Sequence, residues 1–303
     1  DSPANRAAQK LNISTTQLQE IREGDATAEQ KQTGHPSMRA TWPDAPAEPP
    51  STTTLPPNPD FQPDQFFHTA HTLNPTWYTA VPTMHQNILA HTTKHPDLPK
   101  NTHFRFIRSS SASLPPTTML QLEETFNAPL IEAYGMTEAA HQITSNPLPP
   151  AQRKPGSVGP QAGPRIAIMN DQGDLLTTDE IGEVVIQGDN ITTGYLNNDD
   201  ANATAYTNGW FRTGDQGKID QDGYLHLTGR LKEIINRGGE KISPREIDET
   251  FMDHPAVAQA VAFALPHTTL GEDLAIAIVL KPDTKTTPQE IRDYAFEHLA
   301  PFK

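Results

Sequence analysis

The sequence predicts an α/β protein in three parts: a parallel sheet with helical crossovers, a small antiparallel sheet or distorted barrel, and a small α/β unit at the C-terminal end. Three observations predict it. Strand-like and helix-like runs alternate from about residue 65 to 134, the pattern of a parallel sheet with right-handed crossovers. Short alternating runs divided by tight-turn signals fill residues 156–228. After Leu231, two helix starts, Ser243-Pro244-Arg245-Glu246 and Thr287-Pro288-Gln289-Glu290, stand among apolar strand-like runs.

Taken in order, Thr76 to Val81 suits a strand, and Pro82 opens a helix carrying Met84, Ile88 and Leu89. Phe104 to Ile107 is a second strand running into the serine loop Ser109-Ser110-Ser111. Pro115 starts a helix whose apolar residues are Met119, Leu120, Leu122 and Phe126, and Leu130 to Ala133 is a third strand. Ligands of such sheets sit beyond the carboxyl ends of the strands, so the serine loop and the segment from Tyr134 onward are expected to converge on one site. The antiparallel part rests on Ile166–Met169, Glu183–Gln187 and Tyr224–Leu227, with turns at Asp171-Gln172-Gly173 and Asp222-Gly223. In the last part Ser243 is expected to cap a helix with Glu246 closing a capping box, Ile247 and Phe251 forming its apolar face. Val257–Phe263 and Leu274–Leu280 follow as strands. Residues 1–52 are polar, Pro- and Thr-rich, with one short helical stretch at Leu18 to Ile21, and are expected to be disordered.

Composition narrows the function. The 37 acidic against 23 basic residues give a net charge of −14, against a nucleic-acid backbone binder but not against a nucleotide-sized ligand. Cysteine is absent, which removes thiolate metal sites and disulfides. His91 and His95 stand four apart, but Pro96 follows and no third ligand is evident, so a metal site is not expected there. No apolar run approaches a membrane span. No targeting signal is visible, and an intracellular, cytoplasmic or peroxisomal setting is expected. Both ends, Asp1-Ser2-Pro3 and Pro301-Phe302-Lys303, read as cuts.

Three segments carry chemistry. In Tyr134-Gly135-Met136-Thr137-Glu138 an aromatic can stack on a base and Gly135 admits close backbone approach. Thr137 offers a hydroxyl to phosphate, and Glu138 a carboxylate to Mg²⁺. In Trp210 to Asp215 the final carboxylate can accept from both hydroxyls of a ribose. In Thr228 to Glu233 and Arg237 to Lys241, Arg230 supplies a phosphate- or ribose-binding fork, and Gly238-Gly239 permits positive φ. Each alone also reads as an ordinary turn, a turn aspartate or a surface arginine.

In this order and spacing the segments resemble the adenylate-forming superfamily: acyl-CoA synthetases, luciferases and the adenylation domains of peptide synthetases. The matching blocks are Tyr134–Glu138, Gly209–Asp215, Gly229–Lys232 and Arg237–Ile247. Within it the chain is most similar to oxalate–CoA ligases, through Thr76 to Thr83, Glu138-Ala139-Ala140-His141 with Ser145 to Pro149, and Arg237 to Lys241. The resemblance implies residues 53–230 as part of the large AMP-binding domain and 231–303 as a truncated lid, with 1–52 unmatched. It implies an ATP-dependent ligase joining a small carboxylic acid, a dicarboxylate such as oxalate, to CoA. Tyr134 would stack on adenine, Thr137 bind the α-phosphate, Glu138 hold Mg²⁺, Asp215 bind the ribose and Arg230 contact ribose or phosphate. Lys232 would be the hinge, and Gly238-Gly239 would line the pantetheine tunnel. Ser111 and His141, beyond neighbouring strands, are the candidates for the acid's second carboxylate, although His141 also reads as a loop-packing residue.

Two family features are not found: the Gly/Ser/Thr-rich phosphate loop upstream, and the catalytic lysine just past the position of Lys303. The expectation is therefore a truncated product with impaired activity, whose exposed core face favours self-association. A non-catalytic nucleotide-binding remnant and a domain loading a carrier-protein thiol stay as alternatives.

Overall fold

A computed structural model describes residues 61–281 and 284–303; the expectations for residues 1–52 lie outside them. The first layer is a parallel sheet, β1 (Trp77–Ala80), β2 (Phe106–Ser109) and β3 (Leu130–Tyr134), extended by β4 (Thr144–Ser145), which runs antiparallel to β3. Helices α1 (Pro63–Leu73), α2 (Pro82–Lys94) and α3 (Pro116–Phe126) are the helices of this part. Each starts on a proline, whose fixed φ suits the first helical position and whose missing N–H forfeits no bond there. Asn74 and Asn127 end α1 and α3 in the left-handed conformation. Phe67, Ile88, Ile107, Leu122, Phe126 and Leu130 form the shared core.

Three local expectations shift. The second strand pairs from Phe106, not Phe104, because Trp77 sets the register. The helix expected from Pro115 begins at Pro116, since a residue before proline is held extended, and Pro115 has ψ 135°. Leu120 is 59% exposed, whereas Met119, Leu122 and Phe126 are buried along one face.

The middle part is an antiparallel sheet of β5 (Arg165–Met169), β6 (Gly182–Gln187), β7 (Tyr206–Thr207), β8 (Trp210–Ile219) and β9 (Leu225–Arg230), with α4 (Asp199–Ala205) leading into β7. Its core holds Ile168, Val184, Ile186, Phe211 and Leu225.

The last part orders β10 (Ile235–Arg237), β11 (Glu240–Ile242), β12 (Val257–His267) and β13 (Gly271–Leu280) as β11-β10-β13-β12. Helices α5 (Pro244–Met252) and α6 (Pro288–His298) complete it, around Ile235, Ile242, Ile247, Phe251 and Val257. The two helix starts differ. Thr287 and Glu290 form a reciprocal capping box on α6. Ser243 does not cap α5: its hydroxyl donates to the Thr228 carbonyl, and Glu246 pairs with Lys303 instead. Among the described residues no helix is long and apolar enough to cross a membrane, and no cluster of three or more acidic or histidine residues could hold a metal.

Candidate active site

Three strands from two sheets bring the central residues together. β3 ends at Tyr134, β9 ends at Arg230, and Asp215 on β8 faces Arg230 across the ladder. The Tyr134 hydroxyl donates to Asp215 Oδ2 at 2.5 Å, and Arg230 Nε donates to Asp215 Oδ1 at 2.8 Å. Asp215 is 5% exposed. Burial pushes its carboxyl above the usual range, although the bonds from Tyr134 and the charge of Arg230 pull the other way. Burial, reinforced by the Asp215 charge, likewise pushes the Tyr134 hydroxyl up. A carboxylate has about four lone-pair positions, so Asp215 keeps capacity for two more donors.

Tyr134, Asp215 and Arg230 line one cavity of about 440 Å³, together with Ser111 from the serine loop and Arg245 and Glu249 from α5. A polar seam joins α5 to that loop. Arg245 Nη2 donates to Ser113 Oγ, and Ser113 Oγ donates to Glu249 Oε1, both at 2.7 Å. Arg245 Nε donates to the same Glu249 oxygen. Beside the loop is Glu132, 4% exposed, with Oε1 3.4 Å from the Leu114 N–H and Oε2 unbonded among the described residues. Burial pushes this carboxyl up to about 7, against the opposing pull of the Leu114 N–H and Arg245. A larger cavity of about 840 Å³, bordered by Thr76, Lys100 and Arg105, holds none of the expected site residues.

The other candidates stand outside the cavity lining. Thr137 and Glu138 occupy the short 3₁₀ turn Thr137–Ala139 after β3; Thr137 is exposed, and Glu138 Oε1 accepts from the Tyr195 hydroxyl at 3.0 Å. Lys232 is exposed on the 3₁₀ turn Leu231–Glu233 between β9 and β10. Gly238 and Gly239 form the β10–β11 turn at φ 61° and 99°. His141 is exposed, with Nε2 3.5 Å from Arg108 Nη2.

Gly135 lines the same cavity, and packing also requires a glycine there: a Cβ would lie 1.3 Å from the His141 carbonyl oxygen. The backbone of the following loop folds onto Gly135, carrying His141 back toward the strand end. Ser111 and His141 both have positive φ, 75° and 80°, a conformation that non-glycine residues hold only when their surroundings enforce it. Sequence reasoning missed Arg108, Ser113, Glu132 and Arg245. For Arg108 and Glu132 a signal existed, a charged residue inside an otherwise apolar buried strand.

Residues 51–196 match the profile of the AMP-binding enzyme family, and residues 246–303 that of the AMP-binding enzyme C-terminal domain. The chain belongs to the AMP-binding enzyme family. Relatives of this AMP-binding enzyme include oxalate–CoA ligase of Arabidopsis thaliana, 48% identical over 82% of the chain and 49% of the relative. Oxalate–CoA ligase of Saccharomyces cerevisiae is 47% identical over 80% of the chain and 44% of the relative. Among solved structures, ATP-bound MatB from Rhodopseudomonas palustris superposes with a TM-score of 0.71 at 29% identity, over 81% of the chain and 48% of that protein. The chain thus spans about half the length of the relatives it matches.

Proposed function

We propose that this chain carries the nucleotide-binding centre and part of the lid of an ATP-dependent acid–CoA ligase acting on a short dicarboxylic acid such as oxalate. The observation that carries the reading is the convergence of Tyr134, Asp215 and Arg230, far apart in sequence, on one cavity. Similarity to two oxalate–CoA ligases supports the choice of acid.

In this reading a carboxylate oxygen of the acid attacks the α-phosphorus of ATP and pyrophosphate leaves. The CoA sulfur then attacks the acyl carbon of the adenylate and AMP leaves. Such chemistry depends mainly on positioning and on neutralising phosphate charge. Asp215, pinned by Tyr134 and Arg230, offers its remaining lone pairs to the ribose hydroxyls. The Tyr134 ring forms a wall for the adenine. Arg230, more than half exposed, pairs with Asp215 and remains open to phosphate. Thr137 presents a hydroxyl to the α-phosphate. Glu138 fits a Mg²⁺ site, because that ion is commonly held by one or two carboxylates together with substrate phosphates; Mg²⁺ bound there would neutralise phosphate charge. Ser111 and His141 face the acid, Lys232 is the hinge for the lid from residue 231, and Gly238-Gly239 takes the pantetheine arm. ATP and CoA as co-substrates imply an intracellular setting.

Pyrophosphate release measured with a panel of acids tests the reading, with turnover of oxalate as the expected result. ATP binding with no turnover of any acid would support a nucleotide-binding module instead. Asp215→Ala is expected to weaken AMP binding in calorimetry; unchanged affinity would remove the ribose assignment.

A further inference from the structure

We infer that Arg108 is the receptor for the second carboxylate of the acid, held in place by Thr79, Ser110 and His141. The inference rests on the dicarboxylate ligase reading above and names the group that selects the substrate.

Arg108 lies in the central strand of the parallel sheet, with Thr79 of β1 and Ile131 of β3 as its cross-strand partners. Its Nη1 donates to Ser110 Oγ at 2.9 Å and Thr79 Oγ1 at 3.3 Å, and its Nη2 lies 3.5 Å from His141 Nε2. All three partners are neutral or can be neutral. Among the described residues no carboxylate pairs with Arg108 or with the exposed Arg105, Arg165 and Arg292, whereas Arg153, Arg212, Arg230, Arg237 and Arg245 each pair with one; Arg108 is the partly buried one of the unpaired four. The guanidinium is partly buried, and burial pulls it below its ordinary value. A desolvated cation without a counter-ion is unfavourable unless an anion arrives to meet it.

Arg108 is not itself part of the cavity lining, but the loop it bonds to is. Ser110 is buried and immediately precedes Ser111, which lines the cavity. His141 belongs to the loop that follows Tyr134. Arg108 therefore bridges the two loops that flank the carboxyl ends of β2 and β3, and both loops hold a non-glycine residue at positive φ beside it, Ser111 and His141. A guanidinium presents five N–H donors in a planar fork matched to a carboxylate; Nη1 gives both of its hydrogens to Ser110 and Thr79, which leaves Nε and Nη2 for the acid. A short acid with one carboxylate on Arg108 extends its other carboxylate along the serine loop toward the nucleotide. A monocarboxylate gains nothing from this contact, and an apolar acyl chain leaves the cation unmet.

The test is calorimetric titration of the 303-residue chain with oxalate, malonate and acetate, each in the presence of AMP. The wild type is expected to prefer both dicarboxylates to acetate. Arg108→Met and Arg108→Gln are expected to lose that preference by about ten- to a hundredfold, the scale of charge-assisted hydrogen bonds, with acetate and AMP affinities unchanged. Arg108→Gln retains hydrogen-bonding capacity toward Thr79 and Ser110 and serves if the methionine variant does not fold. A neutral variant that binds AMP and still prefers dicarboxylates overturns the assignment of Arg108 alone. A wild type that binds AMP but shows no preference for dicarboxylates overturns the substrate class, and the assignment with it.

Discussion

Glu132 is expected to make this protein less stable as the pH rises through the neutral range, and Glu132→Gln should abolish that loss. The carboxyl is enclosed beside the middle of β3, with Oε2 unbonded among the described residues and Arg245 and Glu249 as the charged neighbours acting on it. Its value moves from 4.5 to about 7 on folding. Between those limits the folded chain keeps a proton that the unfolded chain has released. Stability is therefore full below about pH 4.5, falls as the pH rises through the window, and levels off above about 7. At about 1.4 kcal/mol per tenfold change in proton affinity, the loss is about 3 kcal/mol, a substantial part of a typical folding free energy of about 5–15 kcal/mol. Glutamine keeps the shape and cannot ionise. Buried His85, lowered from 6.5 to about 4, works in the opposite direction, adding stability as pH rises from about 4 to 6.5. It is common to both proteins and cancels in their difference. Urea unfolding followed by tryptophan fluorescence from pH 4.5 to 8 measures that difference. Near-equal stability at pH 4.5 and a variant more stable by up to about 3 kcal/mol at pH 8 is the expected result. A difference that does not change with pH would refute the buried, protonatable state of Glu132.

Further outcomes follow from the site and the caps. Tyr134→Phe removes one hydrogen bond to a buried carboxylate and should destabilise the fold by about 1–3 kcal/mol, read as a shift in urea midpoint, while weakening AMP binding in calorimetry. Gly135→Ala places a methyl group against the His141 carbonyl; the loop must move, and AMP binding should fall more steeply than the urea midpoint. Thr287→Ala should lose about 1 kcal/mol of cap energy, whereas Glu246→Ala, whose side chain closes no box on α5, should change the unfolding free energy by less than about 0.5 kcal/mol, both measured by urea unfolding.

The parallel sheet was legible because its strands and the helices α2 and α3 obey their periods, with proline near both helix starts; α1 (Pro63–Leu73) was not read from the sequence. β8 was not read as a strand, though it is one of the longest. Its inward positions are Phe211, Thr213, Asp215 and Gly217, so only the first reads as apolar. Asp215 stands there bonded to Tyr134 and Arg230, and its charge removes the apolar alternation that would have marked a strand. The triad's convergence was implied by motif order. The Arg108 and Glu132 environments were not, because each depends on a neighbouring strand or loop folding over it. The box expected at Ser243 failed for the same reason: local sequence specifies an available hydroxyl, and the tertiary partner Thr228 takes it.

That serine hydroxyl links two sides of a joint. Thr228 stands before Lys232 in the chain and Ser243 after it, so their bond straddles the turn about which a lid would swing. In the arrangement that donates to the Thr228 carbonyl, the Ser243 oxygen accepts from none of the amides at the start of α5. If the part after Lys232 turns as a lid, the Thr228–Ser243 bond is one that the motion would have to break.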